Sequence, residues 1–284
     1  MPDLTTYLFI LCYIYLALTI VVILLDNRDP SITLSWILIF TLIPVVGFLI
    51  YLFLGRNWRK KHSVYNKLDQ QFIAKHLVGI LKPISDEQDE NIEEIKDKLP
   101  VYHRELIRML QKNSHSLLTI RNDVQIFHDG KTKFDALKED LRKAKKFIHL
   151  QYYIWRSDDP LGREIMEILY QKLKEGVEVR ILYDYSGCFL TIKSKHLKEY
   201  RKAGIRIQPF FHLFTGWHTY MLNHRNHRKI GVIDGTIGYV GGMNVGQEHI
   251  DGKPKYRFWR DTHLRIEGEG VSVLQAIFAT DWCN

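Results

Sequence analysis

Residues 224–244 read HRNHRKIGVIDGTIGYVGGMN. HRKIGVID, residues 227–234, has the character of a β-strand, Asp234-Gly235 is a hairpin-turn signal, and TIGYVGG returns as a second strand. Side chains at i and i+2 of a strand share a face, so His227 and Lys229 are predicted to project together. Arg228, Ile230 and Val232 then point the other way. A neutral imidazole is a competent nucleophile near neutral pH, and an ammonium beside it offsets charge developing on phosphoryl oxygens. The pair therefore suits attack on an anionic group such as a phosphate. Asp234 can orient a ring or support the strand pair. Gly241, Gly242 and Asn244 bring a small-residue bend and an amide donor back towards the same region. His224 reads as a neighbour rather than a participant.

A control lies in the same chain. His196-Leu197-Lys198 also satisfies His-x-Lys, but Ala203 stands where the acid is required. That pair falls on a predicted helix, where i and i+2 do not share a face.

Outward from the hairpin, short strands alternate with helices. VQIF, FIHLQYYIW, VEVRILYDY and IRIQPF read as strands; a helix capped by Thr132 carries the apolar stripe Phe134, Leu137, Leu141 and Ala144. REIMEILYQKLKEG is a helix closed by Gly176, and a further helix runs through Lys198. WRDTHLRIEG is a late strand and GVSVLQAIFATDW a last helix. This alternation implies an α/β domain over 122–284, with helices packed on a mixed, largely parallel sheet. FHLFTGWHTYMLN (211–223) breaks the rhythm as an aromatic-rich connection, either core filler or a loop facing membrane and substrate.

Residues 61–121 read as a helical linker. Ser85 with Gln88 suggests a capping box, Pro100 ends that helix, and VYHRELIRMLQK forms the next. Before it, no charged residue occurs from Thr5 to Leu25 or from Ser31 to Gly55. Each run meets the roughly 20 apolar residues that cross a bilayer. Residues 1–60 are thus expected to form a two-helix transmembrane hairpin (about 5–25 and 32–54). One basic residue, Arg28, lies in the connection, whereas Arg56, Arg59, Lys60 and Lys61 crowd the second exit, which places that exit and the following lobe in the cytoplasm. Those four cations also suit anionic lipid.

The composition agrees with a folded, membrane-associated protein. Hydrophobic residues make up 46% and charged residues 25%, and the net charge of +8 favours anionic partners. Cys12, Cys188 and Cys283 give neither a disulfide framework nor metal-ligand spacing.

HRKIGVID followed by GYVGGMN resembles the HKD motif of the phospholipase D superfamily, in a motif region of about 222–249. PVVGFLIYLFLGRN, HLQYYIW, GVEVRILYDYSG and FWRDTHLRIEGEGV are similar to blocks of bacterial cardiolipin synthases. The resemblance implies a phospholipase D-like lobe and a phosphatidyltransferase that makes cardiolipin and glycerol from two phosphatidylglycerols through a phosphatidyl-histidine, with no metal or cofactor. It gives His227 the role of catalytic histidine, Lys229 that of phosphate-binding lysine and Asp234 that of the motif's acid. Asn244 matches a phosphate-binding position, with Gly242 beside it in the substrate-binding bend. It further implies a multi-pass protein of the cell membrane whose lobe is cytoplasmic. Members of the family carry two HKD motifs in two lobes, and this sequence has one. The expectation is a chain lacking a second lobe and inactive alone, or one completed by a homodimer partner. A phospholipase D-type hydrolase or a single-motif dimeric nuclease would use the same residues; the long apolar runs argue against nucleic acid.

Overall fold

The computed structural model describes residues 30–43, 81–114, 116–210, 225–252 and 258–283, with isolated positions among 3–21, 46–51 and at 79. The chain divides into two units, residues 1–64 with 213–224, and residues 65–212 with 225–284. In the first, helix α1 spans Pro30–Leu42, and its Trp36 and Phe40 meet Tyr51 edge-on at 5.2 and 5.3 Å between centroids. The first expected span falls largely outside the described residues and the second only in part, and among those described no helix is long and apolar enough to cross a membrane. The 211–223 connection and His224 also lie outside them.

In the second unit, helices α2 (Gln88–Ile95) and α3 (Val101–Ser114) occupy the expected linker. The capping box does not form. Gln88 instead donates to the carbonyls of Ile84 and Leu118 and accepts from Leu118 N–H at 2.7 Å, so its amide ties segments 30 residues apart. A long-range partner has won over the local one.

The lobe that follows contains strands β1 (Asn122–Phe127), β2 (Phe147–Tyr152), β3 (Glu178–Asp184), β4 (Arg206–Phe210), β5 (Ile230–Ile233), β6 (Ile237–Gly241) and β7 (His263–Gly268). Its longer helices are α4 (Gly130–Lys143), α5 (Pro160–Lys174), α7 (Ser194–Lys202) and α9 (Gly270–Trp282), with short α6 (Tyr185–Cys188) and α8 (Glu248–Asp251). The strands make one sheet in the order β1-β7-β6-β5-β2-β3-β4. It is mixed, as expected, but not largely parallel: β2–β3 and β3–β4 are parallel and the other four neighbouring pairs antiparallel. Crossovers through α5 and α7 allow the parallel pairs. The Asp234-Gly235 turn is far too short for a crossover and forces β5 and β6 antiparallel.

Both faces of the sheet are covered at its centre, which is why β5 is buried at every position, whereas edge strand β1 is largely exposed. On β2, Ile148, Leu150 and Tyr152 enter the large core beneath α4 and α5. The alternate His149 and Gln151 face α9: His149 stacks on Phe278 at 4.7 Å, and Gln151 donates to Asp281 at 2.7 Å. Ile230 and Val232 pack with Val271 and Leu274 of α9. The stripe Phe134, Leu137, Leu141 and Ala144 is buried as the sequence implied. The cap of α4, however, is Asp129, not Thr132. Asp129 holds the extended backbone that an N-cap needs, and its carboxylate accepts Thr132 N–H at 2.8 Å.

Candidate active site

β5 begins at Ile230, so His227 and Lys229 lie in the extended segment ahead of it rather than on the strand. Anchors outside the sheet hold that segment. Buried Asn226 donates its N–H to Asp184 at 2.9 Å and its amide to Asp281 at 2.9 Å, and accepts Arg228 N–H at 3.1 Å. Arg228 reaches Asp281 at 2.6 Å. Asp184 also caps α6 through Gly187 N–H at 2.8 Å. The ends of β3 and α9 thus clamp the residues on either side of His227.

His227 and Lys229 are also tied to each other through the main chain. Lys229 is buried, and its Nζ donates to the main-chain carbonyl of His227 at 2.6 Å. His227 is exposed, and among the described residues no hydrogen bond engages its ring. Both converge on Tyr153, whose ring lies 4.5 Å from the His227 ring and 5.2 Å from Lys229 Nζ. Partial desolvation, followed by the Lys229 charge, lowers the His227 pKa against an opposing pull from Asp184. The imidazole is therefore neutral, and nucleophilic, at physiological pH. Burial brings Lys229 down to about 8, opposed by Asp261 and Asp184. It stays mostly charged at pH 7, without a carboxylate at ion-pair distance among the described residues. A desolvated cation of this kind gains from an arriving anion.

Asp234 sits at the far end of β5. Its backbone is left-handed, φ 54° followed by 73° at Gly235, as a type I′ turn requires. Its carboxylate accepts the N–H groups of Lys145, Lys146 and Phe147 at 2.8, 2.7 and 3.0 Å. Burial raises its pKa, but these three donors outweigh that and hold it below the ordinary value. Of the two roles open to Asp234, the structure takes support of the strand pair over orientation of a ring.

Asn244 follows β6, where Val245 bridges to Trp155. Its Oδ1 accepts Ile154 N–H at 3.0 Å, which leaves the Nδ2 hydrogens as its donors. That contact also fixes the residue next to Tyr153. Gly242 allows a close approach, since a Cβ there would lie 2.0 Å from the Asp261 carboxylate.

Several residues of the site escaped the sequence reading. Tyr153, Asp184 and Asn226 lie inside blocks that were noticed for other reasons; a carboxylate closing a buried strand, as Asp184 does, is the one local signal. Asp281 and His249 had none. His249 accepts Asn244 N–H through Nε2 at 3.2 Å, so its proton lies on Nδ1, and burial takes its pKa to about 4.

A family model described as "Cardiolipin synthase, PLD-like domain" matches residues 137–282, a span that includes all the residues named by the motif. The chain belongs to the cardiolipin synthase PLD-like domain family. A second model of this group, for the phospholipase D-nuclease N-terminal domain, matches residues 13–56. The chain is similar to the major cardiolipin synthase ClsA of Bacillus subtilis, at 41% identity over 93% of this chain and 54% of that protein. Its likeness to the cardiolipin synthase of Oceanobacillus iheyensis is 40% over 94% of this chain and 54% of that one. The chain spans about half the length of these relatives. Against the solved phospholipase D family member Nuc from Salmonella typhimurium the TM-score is 0.44 at 16% identity, covering 57% of this chain and 95% of that one. The family assignment rests on the sequence model.

Proposed function

We propose that this lobe contributes one half of a cardiolipin synthase site that works by phosphatidyl transfer at a cell membrane. The observation that carries the reading is the exposed, neutral imidazole of His227 set over Tyr153 beside the buried ammonium of Lys229. In the first step a His227 ring nitrogen attacks the phosphorus of phosphatidylglycerol. The P–N bond forms, the P–O bond to the headgroup glycerol breaks, and the leaving oxygen takes a proton from an acid imidazole. In the second step the headgroup hydroxyl of another phosphatidylglycerol gives its proton to that same imidazole and attacks phosphorus. The P–N bond breaks, cardiolipin departs and His227 is restored. Lys229 and the Asn244 amide stabilise the phosphoryl oxygens, and Asp234, Asp184, Asp281 and His249 position them. Gly242 serves by letting Asp261 close against the bend.

The acid imidazole belongs to a second HKD motif, on another lobe or a second copy. The N-terminal apolar runs hold the lobe at the cytoplasmic side of the membrane, where its substrates are.

The test is product analysis with phosphatidylglycerol vesicles, combined with an alkaline quench that preserves phosphoramidates. A lipid adduct mapping to His227 in the assembly that supplies the second motif, and no cardiolipin from the monomeric 284-residue chain, are the expected results. Cardiolipin made by purified monomer, or persisting in His227→Ala, would refute the mechanism. Phosphatidic acid in place of cardiolipin would make water the acceptor.

A further inference from the structure

Two apolar residues stand in solvent beside the site. Leu190 is 89% exposed and Phe189 61% exposed. They form the tip that follows α6, and the tip is fastened on both sides. Cys188, buried behind it, accepts Trp155 N–H through sulfur at 3.2 Å. Thr191 donates its N–H to Cys188 and accepts Ser157 N–H, both at 3.0 Å. The α6 backbone also lies directly against Tyr153, since a Cβ on Gly187 would come within 2.2 Å of the Tyr153 carbonyl. Tyr153 therefore touches both Gly187, two residues before the tip, and His227.

Holding two large apolar side chains rigidly in water is unfavourable unless something apolar receives them. Their surroundings indicate what does. Lys195 and Lys198 follow the tip and are exposed, as is Lys193, whose charge is paired with Asp158 at 2.5 Å; together they make a cationic collar behind an apolar point. Such a pattern matches an anionic lipid surface, with headgroup phosphates for the lysines and acyl chains for the tip. Another protein surface fits less well, because stable interfaces bury about 800 Å² per partner, far more than two side chains provide.

We propose that Phe189 and Leu190 enter the acyl boundary of an anionic membrane and so set His227 at the depth of the phosphodiester. This rests on the lipid chemistry proposed above. In a phospholipid the acyl chains begin one glycerol unit from the phosphate, and Tyr153 links the base of the tip to the nucleophile.

To test it, the 284-residue chain carrying Cys12→Ser, Cys283→Ser and Leu190→Cys, labelled with an environment-sensitive fluorophore, is reconstituted into phosphatidylcholine vesicles with and without phosphatidylglycerol. Doxyl groups on the acyl chains serve as quenchers. A label at Lys131→Cys, whose native side chain is 75% exposed on α4, serves as the control. The expected result is blue-shifted emission and several-fold stronger quenching at 190 than at 131 in the anionic vesicles, reduced by Lys195→Glu with Lys198→Glu. Circular dichroism on each variant verifies folding. Equal quenching at both positions overturns the proposal. So does a blue shift that tracks protein concentration without quenching, which would make a second copy the occupant. Insertion needs no chemistry, so the measurement is repeated in His227→Ala. Quenching kept there, with cardiolipin formation by the assembly that supplies the second motif unaffected by the same substitution, sinks the phosphatidyl-transfer reading and leaves the docking intact.

Discussion

His227-Arg228-Lys229 and His196-Leu197-Lys198 share a spacing and little else. The first lies in an extended segment where Asn226 and Arg228 are clamped by Asp184 and Asp281. The second lies on α7, where the His196 ring is 2.8 Å from Ser157 Oγ and 3.4 Å from Asp158. Lys229 is buried while Lys198 is in solvent. A histidine whose ring is already engaged supports its neighbours, and a lysine already solvated gains little from a phosphate. The motif's chemistry comes from the environment that surrounds the spacing, and the same residue types behave differently without it.

The largest break in that comparison should come from the histidines. His227→Ala is expected to lower phosphatidyl transfer by about 10⁴-fold or more, and His196→Ala to leave it nearly unchanged, measured as cardiolipin formed by the assembly that supports turnover. Comparable losses in both would put the nucleophile elsewhere. The lysines should differ next. Lys229→Met removes a desolvated cation at the phosphate and should cost about 10²–10³-fold in turnover, against a much smaller loss for Lys198→Met, which acts only through docking.

Asp234 sharpens the contrast in another way. Asp234→Ala leaves three N–H groups without their acceptor and puts a Cβ residue lacking local hydrogen bonds in the left-handed region, so about 2–4 kcal/mol of stability should be lost. Thermal unfolding of the variant would read that loss. A fully stable but inactive variant would return Asp234 to the chemistry.

A further test is set by pH. Burial takes His149 and His249 to about 4 and His263 to about 2, below the unfolded value near 6.5. The unfolded chain then binds more protons below pH 6.5. Stability is present in full above that pH and falls as the solution is acidified towards 4, by about 1.4 kcal/mol per pH unit for each histidine. Denaturant midpoints between pH 7 and 4.5 would measure it, and a flat profile would contradict the burial of these rings. His227, exposed and also lowered, should keep its nucleophilic form to somewhat below pH 6.5.

The sequence by itself determined the strand–helix rhythm, the hairpin at Asp234-Gly235, the apolar stripe of α4 and the family. These are legible because they depend on local periodicity, on a turn that only certain residues make, and on a motif of fixed spacing. The tertiary structure decided the rest. It set the sheet's mixture of parallel and antiparallel pairs, because strand order depends on where return segments pair. It moved His227 off the strand, because Asp184 and Asp281 hold Asn226 from 42 and 55 residues away. It gave Asp234 to the backbone of Lys145, Lys146 and Phe147, nearly 90 residues earlier in the chain. Contacts of that reach leave no periodicity to read, and in this lobe they determine which imidazole is left open to solvent.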